Sequence, residues 1–180
     1  MRIVQIYKKN FPNNKKMLFH YTSEYYYGLI LTKKTNNKGW IFDWTRKKFP
    51  LVFEKNVEEV LFEDYKTNAE YYVSINEENE EIGILVIAKQ DWNKVTRIWD
   101  IYVSSRYQRT GIGTQLMDFA EERAKAWECR ALVLECQSSN DPAIQFYLKN
   151  GFDLTGFDLI SYSNEDIKKH EVRFEMSKII

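Results

Sequence analysis

Two of the chain's seven glycines, Gly111 and Gly113, stand either side of Ile112 in the stretch QRTGIGT. An apolar stripe of helical period follows, so the pair opens a helix. The first turn of a helix carries N–H groups with no intrahelical partner, and its end bears about half a unit of positive charge. That is a seat for phosphate. Positions without Cβ at 111 and 113 let an anion approach main-chain nitrogen. Two phosphate motifs fail here: the third glycine of a dinucleotide turn would fall at Leu116, and no glycine is followed by Lys-Ser or Lys-Thr. A Gln/Arg-x-x-Gly-x-Gly turn fits, as Gln108-Arg109-Thr110-Gly111-Ile112-Gly113.

Proton chemistry has two carboxylate candidates. Glu135 lies within ALVLECQ and Asp100 within TRIWDIYVSS, both strand-like runs. Burial raises a carboxyl group toward neutral pH, where it works best as a base. For either, the plainer role is a pair with a buried Arg or Tyr. Tyr147 is a phenol that donates a proton or a core aromatic beside Ile144 and Leu148. Cys136 neighbours Glu135 and so faces the other side of its strand, toward a core. His20 and His170 have no metal-ligand spacing, and Cys129 and Cys136 are too few for a zinc site or a disulfide scaffold. No metal is expected.

These groups need a frame. YYYGLILTKK, a turn at TNNKGW, and WIFDWT read as two extended pieces. Over Leu51–Tyr65, Val52, Phe53, Val57, Val60 and Leu61 return at helical spacing and predict a helix. EYYVSI and IGILVIAKQDW flank the acidic NEENEE and predict a hairpin. TRIWDIYVSS, apolar on both faces, predicts a central strand. Ile112, Leu116, Phe119, Ala120, Ala124 and Trp127 make the stripe of an amphipathic helix. A second helix starts at Asn140 or Asp141, with Pro142 in its first turn, and stops at Asn150-Gly151. FDLTGFDLISYS and EVRFEMSK predict closing strands. The sum is an α+β fold, a mixed, mostly antiparallel sheet with helices on both faces.

At 180 residues, without a repeat or linker, the chain predicts one domain, 1–180. Its net charge is zero, yet residues 1–50 carry eleven Lys and Arg against two acids, together with eleven aromatics, and residues 51–100 twelve acids against five bases. A basic, aromatic segment is what single-stranded nucleic acid needs, but no such binding motif is present, so nucleic acid is a minor alternative. No membrane span, no leader and few cysteines predict a cytoplasmic protein.

The first motif, joined to Asn140-x-x-Ala143-x-x-x-Tyr147-x-x-x-Gly151-Phe152, resembles the GCN5-related N-acetyltransferases, the GNAT superfamily, over about residues 70–163. The resemblance implies the GNAT fold, acetyl-CoA as cosubstrate and no metal. It implies that Ile101, Tyr102 and Val103 bond the pantetheine arm and that Gln108, Arg109, Thr110, Gly111, Ile112, Gly113 and Thr114 hold the pyrophosphate. Asn140 and Ala143 would meet the arm, and Tyr147 would protonate the departing thiolate. Glu135, twelve residues before Tyr147, matches the base-to-acid separation of ribosomal-protein acetyltransferases in that family; Asp100, beside the thioester, is the other base candidate. A base is needed because an alkyl amine with a pKa of about 10.4 is almost wholly protonated at pH 7, and freeing it costs about 4.6 kcal/mol.

More narrowly, IWDIYV, LVLECQSSN and GFDLTGFDLISYSN are similar to streptothricin acetyltransferases. These carry a dense acidic run upstream; FEKNVEEVLFEDYK is its moderately acidic counterpart. The implied acceptor is a small-molecule amine, with residues 1–65 on the acceptor side and the enzyme a monomer or homodimer. The alternatives are a protein amine acceptor and a catalytically silent acetyl-CoA-binding module.

Overall fold

The computed structural model describes residues 1–180, the Asn37 side chain excepted. Strands Arg2–Ile6 (β1), Ala69–Ile75 (β4), Glu81–Gln90 (β5), Val95–Val103 (β6), Ala131–Gln137 (β7), Asp153–Asp158 (β8) and Arg173–Ile179 (β9) form one sheet, ordered β1-β4-β5-β6-β7-β9-β8. Lys16–Lys33 (β2) and Trp40–Val60 (β3) form a separate antiparallel ribbon. Among neighbouring strands described in the large sheet, β6 and β7 pair in parallel and the rest antiparallel. The expected mixed, mostly antiparallel α+β class holds, with the NEENEE hairpin as β4–β5 and β6 at the centre.

Alternation along β5 divides the core. Leu85 and Ile87 face one side and Ile84 and Val86 the other, all fully buried or nearly so. On the first side lie helices Ile112–Ala126 (α1) and Asp141–Lys149 (α2), packed on Leu132, Leu134, Phe174 and Met176. Each follows a strand whose parallel partner lies further along the sheet, and right-handed crossovers set both helices on one face. The second side holds Leu61, Phe62, Val73, Ile84 and Val86, with Met17 packed against them.

Here the structure differs from the sequence reading. Residues 51–60, expected as part of a helix, are the end of β3, and the ribbon rather than a helix closes this face. Phe53, Lys55, Val57 and Glu59 are half-buried, whereas Glu54, Asn56 and Glu58 are exposed. This is strand alternation with charges at two inward positions, which hides the period of two.

A two-stranded ribbon alone is marginal in water. This one is tethered. The pairing jumps from Ser23↔Phe53 to Tyr25↔Lys48, so the ribbon bends. Beyond the bend, the Tyr27 N–H donates to the Ser138 carbonyl at 2.8 Å. Arg46 donates to both Asp141 oxygens at 2.7 and 2.8 Å, with its guanidinium 3.7 Å over the Tyr25 ring. Trp44 meets Phe174 edge-on at 4.7 Å.

Candidate active site

β6 and β7 are hydrogen-bonded only where Val95, Thr96 and Arg97 meet Ala131, Leu132 and Val133. Beyond this they part. Ile101, Tyr102 and Val103 keep their pairing with β5 but have no strand partner on the β7 side. The gap leads to the loop before α1. None of the six backbone N–H groups from Arg109 to Thr114 has a partner among the described residues; the first α1 bond is Gln115 N–H to the Gly111 carbonyl. Side chains fix this loop. Gln108 Nε2 donates to the Val103 carbonyl at 3.1 Å, and Thr110 Oγ1 to the Tyr107 carbonyl at 2.6 Å.

The two glycines do different work. Gly111 has φ of +92°, and a Cβ there would meet nothing within 4 Å. It supplies a left-handed turn and open space above the free N–H groups. At Gly113 a Cβ would lie 3.2 Å from the Phe146 ring. Gly113 therefore serves close packing of α1 on α2, which sequence reasoning had not separated from anion approach. Asn140 caps α2, its Oδ1 accepting the Ala143 N–H at 3.3 Å.

On the second face, next to the gap, the ribbon covers a layer of polar and charged side chains, the polar chamber of the site. A bulge on β6 opens its floor: Val86 pairs with Asp100 and Ile87 with Ile98, leaving Trp99 extra. Asp100 is thereby turned to the same face as Trp99. Asp100 Oδ2 accepts from Lys66 Nζ at 2.6 Å in a pair whose side chains are 8% and 2% exposed. Burial raises the Asp100 carboxyl above its ordinary range, and Lys66 pulls it back only in part. Glu135 is held by Arg97 and by Arg173, each at 2.7 Å, and both guanidiniums also reach Glu175. Tyr21, from the roof, bonds Gln137 at 3.1 Å and Ser139 at 3.0 Å, and burial pushes its phenol up to about 12. Lys55 pairs with Glu171.

Of the three expected catalytic residues, Asp100 and Glu135 face this chamber, each in an ion pair. Tyr147 lies in the core of the first face, its phenol raised chiefly by burial and further by Cys136 and Asp100. Its hydroxyl has no hydrogen-bond partner among the described residues. Cys136 is buried, its thiol raised by burial, with Sγ 3.8 Å from Met176 Sδ, as a core cysteine.

Sequence reasoning missed Lys66, Arg97, Arg173 and the roof residues Tyr21, Lys55 and Glu59. For the roof, the available signal was weak, because in FEKNVEE only Phe53 and Val57 mark the inward row that Lys55 and Glu59 share. For the floor pairs there was none, because the partners come from strands distant in sequence. Trp99 Nε1 and Arg97 Nε, both buried, have no partner among the described residues.

The model of the acetyltransferase (GNAT) family matches residues 36–152. The chain belongs to that family and is an acetyl-CoA-dependent N-acetyltransferase. It is 32% identical over 130 residues to streptothricin acetyltransferase A of Bacillus subtilis strain 168, covering 69% of this chain and 72% of that one. With the streptothricin acetyltransferase of Escherichia coli it shares 37% over 71 residues, 39% of this chain and 41% of the other. A Bacillus anthracis strain Ames chain assigned as a streptothricin acetyltransferase, solved with acetyl coenzyme A, superimposes with a TM-score of 0.75 at 25% identity, covering 99% of this chain and 97% of that one. Nourseothricin acetyltransferase has the same fold, with a TM-score of 0.73 at 22% identity over 99% and 97% of the two chains. No helix among the described residues is long and apolar enough to cross a membrane.

Proposed function

We propose that the enzyme acetylates a primary amine of a small, cationic molecule of the streptothricin type, working in the cytoplasm as one catalytic domain. Residues 70–163 form its acetyl-CoA core and residues 1–65 its acceptor side. Acetyl-CoA supplies the activated acetyl group. Free backbone groups of Ile101, Tyr102 and Val103 receive the pantetheine arm, with Asn140 and Ala143 at the mouth of the gap. The N–H groups of Arg109 to Thr114 receive the pyrophosphate, in a loop shaped by Gln108. Tyr147 protonates the departing sulfur. Asp100, anchored by Lys66, orients the acceptor, and Glu135, held between two guanidiniums, offers a fixed hydrogen-bond acceptor on the floor.

The roofed chamber carries the reading. A ribbon over the sheet favours a compact acceptor and leaves little groove for a peptide. Buried donors on Trp99 and Arg97 without partners favour a polar ligand there, since an unmet buried donor costs about 1–3 kcal/mol. Most of the ribbon's aromatics pack inward, Tyr26 on His170 at 3.9 Å and Trp44 on Phe157 at 5.4 Å, while Trp40 and Phe42 stay exposed, which leaves a small stacking surface for nucleic acid. The test is CoA release from acetyl-CoA across streptothricin, polyamines, aminoglycosides and N-terminal peptides. Saturable release with streptothricin is expected. Release with peptides alone would move the acceptor to protein.

A further inference from the structure

On the reading that this chamber receives the acceptor amine, we infer that Glu59 is the residue that takes the proton from its nitrogen. Glu59 pairs across the ribbon with Met17, and Met17 packs on the second-face core, so Glu59 hangs from the inward side of the roof. The charged groups around it are Asp100 on β6, Lys66 and Glu63 on the β3–β4 connection, and Glu135 on β7.

The other carboxylates of the chamber are committed. Asp100 is bound to Lys66, Glu135 and Glu175 to Arg97 and Arg173, and Glu171 to Lys55. Among the described residues Glu59 has neither an ion pair nor a hydrogen bond. Glu63 also lacks both, but it sits on the connection rather than on the inward row of β3. Burial first, and Asp100 next, raise the Glu59 carboxyl above its ordinary value, with Lys66 opposing. A half-buried, unpaired carboxylate beside a second carboxylate is a poor structural element and a good base.

The protons balance. The acceptor enters as an ammonium and gives one proton to a Glu59 oxygen, which passes it to solvent. The N–C bond forms as the C–S bond breaks. Tyr147 gives its proton to sulfur and recovers one from the acylated nitrogen.

Glu59→Gln and Glu63→Gln, assayed with acetyl-CoA and streptothricin across pH, test this. We expect kcat/KM of Glu59→Gln to fall about a hundredfold or more and its acid limb to vanish. Acetyl-CoA affinity by calorimetry stays at the wild-type value, which shows the variant folded. Turnover within threefold of wild type with the acid limb intact would overturn the assignment, as would loss of the limb in Glu63→Gln alone. A wild-type protein that acetylates no amine would overturn the acceptor reading, and this inference with it.

Discussion

Tyr147 and Asp100 approach the strand gap from opposite faces of the sheet, and their burial sets different tasks. The Tyr147 phenol is raised by burial, so it enters the reaction protonated but as a weaker acid, and its proposed transfer to sulfur has to be concerted with C–S cleavage. Tyr147→Phe should lower kcat about tenfold to a hundredfold with acetyl-CoA affinity unchanged, measured by steady-state turnover and calorimetry. Asp100 is one half of a buried pair. Asp100→Asn leaves the Lys66 ammonium buried without its counter-charge, a loss of about 3–5 kcal/mol readable by urea unfolding. Glu59 behaves in the opposite sense. Its folded-state carboxyl is raised above the ordinary 4.5. Ionisation therefore costs stability, with no cost below that value and the full cost above the folded one. Glu59→Gln should match wild type in melting temperature at pH 4 and equal or exceed it at pH 7. A lower melting point at pH 7 would contradict the sign.

Among the elements, α1 and the ribbon carry the separable predictions. Gly113→Ala places a methyl against Phe146 and should cost about 1–3 kcal/mol of stability by overpacking, read by urea unfolding. Gly111→Ala meets no neighbour but forces a left-handed residue, about 1–2 kcal/mol, and its methyl stands where the pyrophosphate is proposed to sit. It should therefore weaken acetyl-CoA binding more than Gly113→Ala does, in the same calorimetric titration. Arg46→Met removes the tether between ribbon and α2; acceptor KM should rise with acetyl-CoA affinity intact.

The sequence was most legible where elements are local. The α1 stripe, the Asn140 cap and the β4–β5 hairpin rest on neighbours within a few residues. Strand β3 was misread because Lys55 and Glu59 occupy inward positions that a structural strand would fill with apolar side chains. Local rules failed at the candidate site. The glycine-opened start of α1 was readable from Gly111 and its flanks. The Arg97–Glu135–Arg173 arrangement was not, since nothing local tells which distant strand lies beside β7.

Across the whole molecule, zero net charge conceals a division of labour. Basic residues of the ribbon, such as Lys33, Lys34 and Lys38, are exposed, whereas Glu59 adds an unpaired acid under the roof beside Asp100 and Glu135, whose charges Lys66, Arg97 and Arg173 offset. Acids in a cleft focus field on an incoming cation, and salt screens that field over about 8–10 Å. At saturating acetyl-CoA, kcat/KM for a polycationic acceptor should fall as salt rises, while a neutral monoamine should respond far less. Parallel slopes for the two would argue against a steering role.

Hydrogen exchange tests the division between cofactor seat and acceptor roof most directly. In the free enzyme the amides of Arg109 to Thr114 have no partners among the described residues and should exchange quickly. Acetyl-CoA should slow those amides, and streptothricin added with CoA should slow Phe53 to Lys66 instead. Protection by acetyl-CoA that bypasses residues 109–114, or by streptothricin that leaves the ribbon untouched, would contradict the account.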